Sequence, residues 1–278
     1  MLRLLNIEFQ KLRHNRAAKV ITITYFILFT FIALIASIEF NFGGVKFRVA
    51  DQGIFNFPYI WHFNTYIAAW AKLFLAIVIV SMMANEYSHR TLKQNLIDGL
   101  SKKEFIASKF LTVIVFALIS TLFLFLVSMI LGLSFSDYNE FSIIFSDLEY
   151  VLAYFIKLLG FFAFCMFLGV FVKRSAFALG FLFIWFIIEK IIYALLKFKL
   201  FKGTDIAENI TQFLPLESMS NLIVEPITRL NFIQSAANQL GENFQKDYMV
   251  HWYELLIVVV WTVIFINLSY IFLKKRDL

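Results

Sequence analysis

Six apolar runs, each broken by a short polar stretch, divide the 278 residues. They fall at about 18–38, 62–84, 105–133, 150–172, 175–196 and 252–273. An α-helix rises 1.5 Å per residue, so about 20 apolar residues cross a hydrocarbon core about 30 Å thick. Six transmembrane helices are therefore expected, the third long enough to project beyond the bilayer or to tilt strongly. The first run, Val20 to Ile38, exceeds the roughly 7–15 residues of a cleaved signal peptide's apolar region, and it reads as an uncleaved first span.

The polar breaks carry patterns of their own. In residues 1–17, Leu2, Leu5, Phe9 and Leu12 recur at helical spacing, with Arg3, Lys11, Arg13 and Arg16 around them. That layout predicts an amphipathic interface helix, its stripe in the acyl boundary and its cations among lipid headgroups. The break "NEYSHRTLKQNLIDGLSKKEFIASK", residues 85–109, predicts a helix through Leu96 and Ile97 and a turn at Asp98-Gly99. Ser101 with Glu104 three residues on then forms a capping box opening the next helix. A flexible linker would be rich in Gly and Ser and uncapped. This loop reads as a built surface for a partner, with a self-contained helical hairpin cap as the plainer alternative. The long break 197–251 predicts short amphipathic helices, one capped by Thr204 or Asp205, others punctuated by Pro215 and Pro226.

Composition sharpens this picture. Hydrophobic residues make up 61%, charged residues only 16%, and mean hydropathy is +0.78. A soluble domain has about 45–50% apolar and about 25% charged residues, so the chain reads as an all-α integral membrane protein. With only 10 Gly and 3 Pro, long helices suit it better than strands. The 36 Phe read as lipid-facing bulk. One cysteine, Cys165, excludes an intrachain disulfide.

Charge orients the spans. One set of flanks holds fifteen Lys and Arg: Arg3, Lys11, Arg13, Arg16, Lys19, Arg90, Lys93, Lys102, Lys103, Lys109, Lys173, Arg174, Lys274, Lys275 and Arg276. The other set holds seven, five of them in the long loop 197–251. The positive-inside rule places both termini on the cytoplasmic side of a multi-pass protein of the cytoplasmic (inner) membrane. The net charge of +6 is mostly this bias, so it is not a nucleic-acid signal.

Candidate chemistry is sparse. There is no GxxxxGK[ST] phosphate loop, no HExxH and no GxSxG, and the four histidines are scattered. No metal site and no active site are expected. Within the spans, Lys72, Lys157, Glu189 and Lys190 fall at a common depth, about 18–23 Å from the cytoplasmic boundary. Either the lysines snorkel to the outer headgroups, or Glu189 pairs with Lys72 or Lys157 to form a polar constriction on a substrate path.

The order of these features resembles the membrane subunits of bacterial type-2 ABC exporters along the whole chain. The carriers of the resemblance are the amphipathic N-terminal helix, six spans, Glu86 followed by "RTLK", the stretch "GLSKKEF" at 99–105, and the ending "FLKKRDL". That family has Gly-Thr-Leu where this chain has Arg90-Thr91-Leu92. The resemblance implies a permease subunit, dimeric with itself or with a second permease, and surrounded by membrane lipids. A separate cytoplasmic ATPase, holding ATP and Mg, would dock on a coupling loop at 85–104. It implies docking roles for Glu86, Arg90, Thr91, Leu92, Asn95, Leu96, Asp98, Gly99, Leu100 and Ser101, with Glu86 paired to Arg90 four residues on. It also implies an interface-helix role for Leu5, Phe9, Leu12 and Arg13. The cargo reads as an unidentified, amphiphilic substrate. A second reading is a non-transporting membrane scaffold or sensor whose loop recruits a cytoplasmic partner. An ion-coupled carrier, which would show internal repeats, comes third.

Overall fold

A computed structural model describes residues 2–42, 45–48, 53–202, 204–230, 233–234 and 246–276. The last part of the long loop, 235–245, lies outside the described residues. The fold is helical, apart from one antiparallel hairpin pairing β1 (Glu39–Phe42) with β2 (Val45–Arg48).

Two helices open the chain, α1 (Leu2–His14) and α2 (Arg16–Ser37). They meet at Asn15, whose side-chain carbonyl accepts the amide of Ala18 at 3.1 Å and so caps α2. After the hairpin come α3 (Tyr59–Ser88), the short α4 (Thr91–Ile97), α5 (Lys102–Phe135), the one-turn α6 (Phe141–Ile144), α7 (Glu149–Val172) and α8 (Ser175–Leu195). A π-helical turn (Leu196–Leu200) extends α8, followed by α9 (Ile206–Thr211), α10 (Pro215–Asn221), a 3-10 turn (Ile227–Arg229) and α11 (Trp252–Lys274).

Among the described residues five helical stretches are long and apolar enough to cross a membrane: Tyr59–Ser88, Lys102–Phe135, Phe141–Val172, Ser175–Leu200 and Trp252–Lys274. That is one fewer than the six apolar runs predict; residues 18–38 fall almost wholly within α2, a helix of 22 residues. The chain is thus a multi-pass membrane protein by length and composition of its helices. The 34 residues of α5 extend about 51 Å, the excess length anticipated for that span.

The centre of the bundle is α7, whose Ala153, Tyr154, Leu158, Phe162, Cys165 and Leu168 are buried, and which packs against α3, α5, α8 and α11. Gly169 lets α7 approach α3 closely; a Cβ there would lie 2.6 Å from Met83 Cβ and 3.3 Å from the Val80 carbonyl. Hydroxyls inside the bundle bond their own helix: Thr112 to the Ser108 carbonyl, Thr121 to Ala117, Thr262 to Val258 and Ser269 to Phe265. Each of these polar groups is thereby satisfied without water.

The expectation that phenylalanine serves as lipid-facing bulk holds for only part of the set. Phe164, Phe167 and Phe171 of α7 interlock with Phe265 and Phe272 of α11 and with Phe181 and Trp185 of α8, at centroid distances such as 4.7 Å for Phe164–Phe265 and 5.2 Å for Phe171–Phe272. Without a hydrophobic drive between helices, such edge and offset contacts supply the packing energy. Other phenylalanines, Phe177 and Phe183 among them, do face outward.

Both chain ends lie at one end of the bundle. Arg276 donates to the carbonyls of Val170 and Phe171 and to the Tyr87 hydroxyl, and Lys102 reaches the carbonyls of Lys274 and Arg276. The opposite end is closed by a second cluster around Phe55, Phe57, Trp61 and Tyr150. There the expected short helices appear. Pro215 opens α10 and Pro226 precedes the 3-10 turn. Asp205 sits at the start of α9 but makes no capping bond, and the Thr204 hydroxyl turns back to the Phe201 carbonyl.

Candidate functional site

Four elements converge on one carboxylate at the terminal end of the bundle. Glu86, one turn from the end of α3, is 3% exposed. Its Oε1 accepts Lys109 Nζ of α5 at 2.5 Å and Lys11 Nζ of α1 at 2.8 Å. Its Oε2 accepts the hydroxyl of Thr91, the first residue of α4, at 2.6 Å. Lys109 is wholly buried and also reaches Glu8 Oε2 of α1 at 2.5 Å. Two acids and two lysines thus balance in charge and tie α1, α3, α4 and α5 together. Burial alone would lower the Lys11 pKa, but its hydrogen bond to Glu86 and the charges of Glu8 and Glu86 outweigh it and hold that pKa above the ordinary lysine value. A cleft of about 630 Å³ runs beside this cluster, between the Asn15 elbow and α3, lined by Glu8, Lys11, Ser81, Asn85 and His89 among others.

The amphipathic helix α1 packs on protein. Phe9 stacks on Phe116 of α5 with centroids 6.0 Å apart, and Leu12 also meets the core, while Leu5 is half-buried and Arg13 is exposed. At least this part of the expected lipid-facing stripe is covered by α5.

The expected Glu86–Arg90 pair is overturned. An i,i+4 contact requires helix through position 90, and α3 ends at Ser88. Arg90 is exposed, with φ 56° and ψ 17°. This is the left-handed conformation that glycine adopts at no steric cost.

Beyond that turn, α4 buries Leu92, and Leu96 and Leu100 pack against the core. Asn95 is half-buried, and its carbonyl accepts the Leu100 amide. Gly99, at φ +97°, makes the predicted turn. Ser101 and Glu104 form the predicted reciprocal capping box. The outward face is Lys93, Gln94, Ile97 and Asp98, with Ile97 70% exposed. Ile97 was not among the expected docking residues. The Leu92, Leu96, Leu100 spacing already marks one face, and Ile97 falls off it.

The mid-bundle charges do not meet as expected. Glu189 pairs with neither Lys72 nor Lys157. Its Oε1 accepts Trp185 Nε1 at 2.7 Å and the Leu216 amide at 3.1 Å, and its Oε2 accepts the Glu217 amide at 2.8 Å. It therefore caps the first turn of α10, where the helix dipole favours an anion. The reason is geometric: the free amides of an inserted short helix are stronger claimants than a lysine on another wall. Lys157 sits at the other end of α10, with Nζ 3.4 Å from the Ser220 carbonyl. Lys190 is exposed and bonds Glu217 at 2.6 Å. Lys72 lies over the Phe161 ring at 4.6 Å. Lys72 and Lys157 line the same cavity, of about 320 Å³.

The chain belongs to the family described as a protein of unknown function (DUF2705), whose model matches residues 56–278. That match takes in α3 through α11, and with them Glu86, Lys109, α4 and the mid-bundle charges. No curated protein matches the chain.

Proposed function

We propose that this chain is the permease subunit of an ATP-driven type-2 ABC exporter. In this reading it has six spans, with α2 as the first, and sits in the cytoplasmic membrane with both termini and α4 on the cytoplasmic side. The observation that carries the reading is the fixation of α4. A seven-residue helix is too short to persist alone, yet here it is locked at its start through Thr91 and Glu86, buried through Leu92, and followed by a capped α5. Such a helix transmits a push on Ile97 and Lys93 into α3 and α5, where a flexible loop would absorb it. ATP and Mg belong to a partner ATPase docking on that face; transport, with a second copy or a second permease completing the pathway, belongs to this chain. The basic residues clustered at the α4 end also favour this orientation.

The test is purification of the tagged chain in mild detergent from its native host, with Ile97→Asp and Lys93→Glu compared against the unaltered protein. The expected result is a co-purifying subunit with a phosphate-binding loop and ATP hydrolysis, both lost in the variants while the thermal unfolding midpoint holds. Preparations without ATPase, or with ATPase retained equally in the variants, overturn the coupling role and favour a scaffold.

A further inference from the structure

The 320 Å³ cavity lies within the bundle, walled by α3, α7, α8 and α10. Two lysines line it, Lys72 from α3 and Lys157 from α7, and among the described residues no carboxylate does. The nearby acid is already committed, since Glu189 spends both oxygens on Trp185 and the α10 amides. Lys157 is 4% exposed and directs one long hydrogen bond at the Ser220 carbonyl, leaving two of its three donors unused among the described residues. Lys72 has no hydrogen bond or ion pair among the described residues and only the face of Phe161 beneath it. Two lysines on the walls of one largely apolar cavity, with no carboxylate beside them among the described residues, leave N–H donors that an anion would satisfy.

The remaining walls say how that anion arrives. They are apolar and aromatic, and Trp70, Leu73, Phe183 and Phe186 line the cavity while also being exposed on the flank of the bundle between α3 and α8. The mouth therefore opens sideways through an apolar rim, which a hydrated free ion crosses poorly and a molecule with an apolar tail crosses readily. The volume lies at the lower end of the range of small-ligand pockets, enough for a headgroup and the start of a chain.

We propose that this cavity is a binding site for the anionic headgroup of a single-chain amphiphile, with Lys72 and Lys157 as its ligands and Trp70 and Phe183 flanking the tail. The site stands independently of the ATPase. That its occupant is the exporter's cargo rests on the permease reading.

The experiment uses the full chain, without any ATPase, in nanodiscs of zwitterionic phosphatidylcholine. A pyrene-tailed hexadecyl phosphate is titrated, and energy transfer from tryptophan is followed. Saturable transfer is expected, reduced in Trp70→Phe and carried in part by Trp185, whose indole bonds the same Glu189 oxygen as the amide of the cavity-lining Leu216. At least tenfold weaker binding is expected in Lys72→Met, more in the Lys72→Met, Lys157→Met pair, and none in Lys199→Met, an exposed lysine outside the cavity. Lys157 also holds α10, so Lys72→Met, which breaks no protein contact except that with a ring, is the decisive variant. The pyrene-tailed alcohol is expected to bind at least tenfold more weakly, and millimolar inorganic phosphate to displace nothing. Equal binding of alcohol and phosphate ester, or unchanged affinity in Lys72→Met, overturns the site. Displacement by inorganic phosphate overturns the amphiphile in favour of a free anion. None of these outcomes depends on an ATPase, so failure here leaves the permease reading where it stood.

Discussion

Two sets of lysines in this bundle have opposite surroundings. At the terminal end, Lys109 is wholly buried between Glu8 and Glu86, with Lys11 completing a neutral set. In the middle of the bundle, Lys72 and Lys157 share a cavity with no acid on its walls. Burying a charge costs several kcal/mol unless it is paired and hydrogen-bonded. The first set meets that condition within the chain and so behaves as a structural joint among α1, α3, α4 and α5. The second finds no carboxylate on its cavity walls among the described residues, which is what the proposed anion site rests on.

The comparison breaks most visibly at Lys109. Lys109→Met leaves Glu8 and Glu86 buried without their main partner and is expected to cost about 3–5 kcal/mol, read as a fall in the thermal unfolding midpoint and faster hydrogen exchange in α1. Adding Glu8→Gln and Glu86→Gln to that variant should recover most of the loss, because the orphaned charges go with it. If Lys109→Met unfolds no earlier than the unaltered chain, the cluster is not a joint.

Glu189→Gln comes next. A neutral amide still accepts hydrogen bonds but loses the charge facing the α10 dipole, at a cost of about 1–3 kcal/mol. Exchange at the Leu216 and Glu217 amides should rise, and exchange in α4 should stay as it was. Protection lost equally at both ends of the bundle would mean the two regions are not separable.

Arg90→Gly works in the opposite direction. It removes left-handed strain at the α3–α4 turn and is expected to stabilise by up to about 1 kcal/mol, measured as a higher unfolding midpoint with Glu86 still paired. A destabilised Arg90→Gly would assign the Arg90 side chain a contact of its own. At Lys72→Met no ion pair is broken and an unpaired charge is removed, so the unfolding midpoint is expected to rise. A loss of several kcal/mol there would place Lys72 with Lys109 as a structural charge and erase the contrast.

Local signals were legible in the sequence. The apolar run at 105–133 lies inside α5, the run at 150–172 inside α7 and the run at 252–273 inside α11. The Ser101–Glu104 box and the Gly99 turn stand where their residue types require. These depend on neighbours within about four positions. Partner choice was not legible. Glu86 had a neighbour at helical spacing in Arg90, but the chain turns there, and the true partners are 75 and 23 residues away. Glu189 was matched by charge to a lysine, while its partners are the Trp185 indole four residues earlier and two backbone amides, which carry no mark in a sequence. Glu8 and Lys109 were the missed members. Each does leave a trace: Glu8 is the one acid in residues 1–17 and sits next to Phe9 of the apolar stripe, and Lys109 adjoins a long apolar run. Phenylalanine was misread for a related reason, since composition counts rings and not which helix they face.

One consequence follows from the length of α10. Its seven residues have no intrinsic tendency to stay coiled in isolation; Glu189 of α8 holds its first amides, Lys157 of α7 reaches the Ser220 carbonyl, and Met219 is buried in the core. Leu216, Met219 and Ser220 of that same coil form a wall of the cavity. The volume beside Lys72 is therefore bounded on one side by a coil that residues of two other helices hold in place.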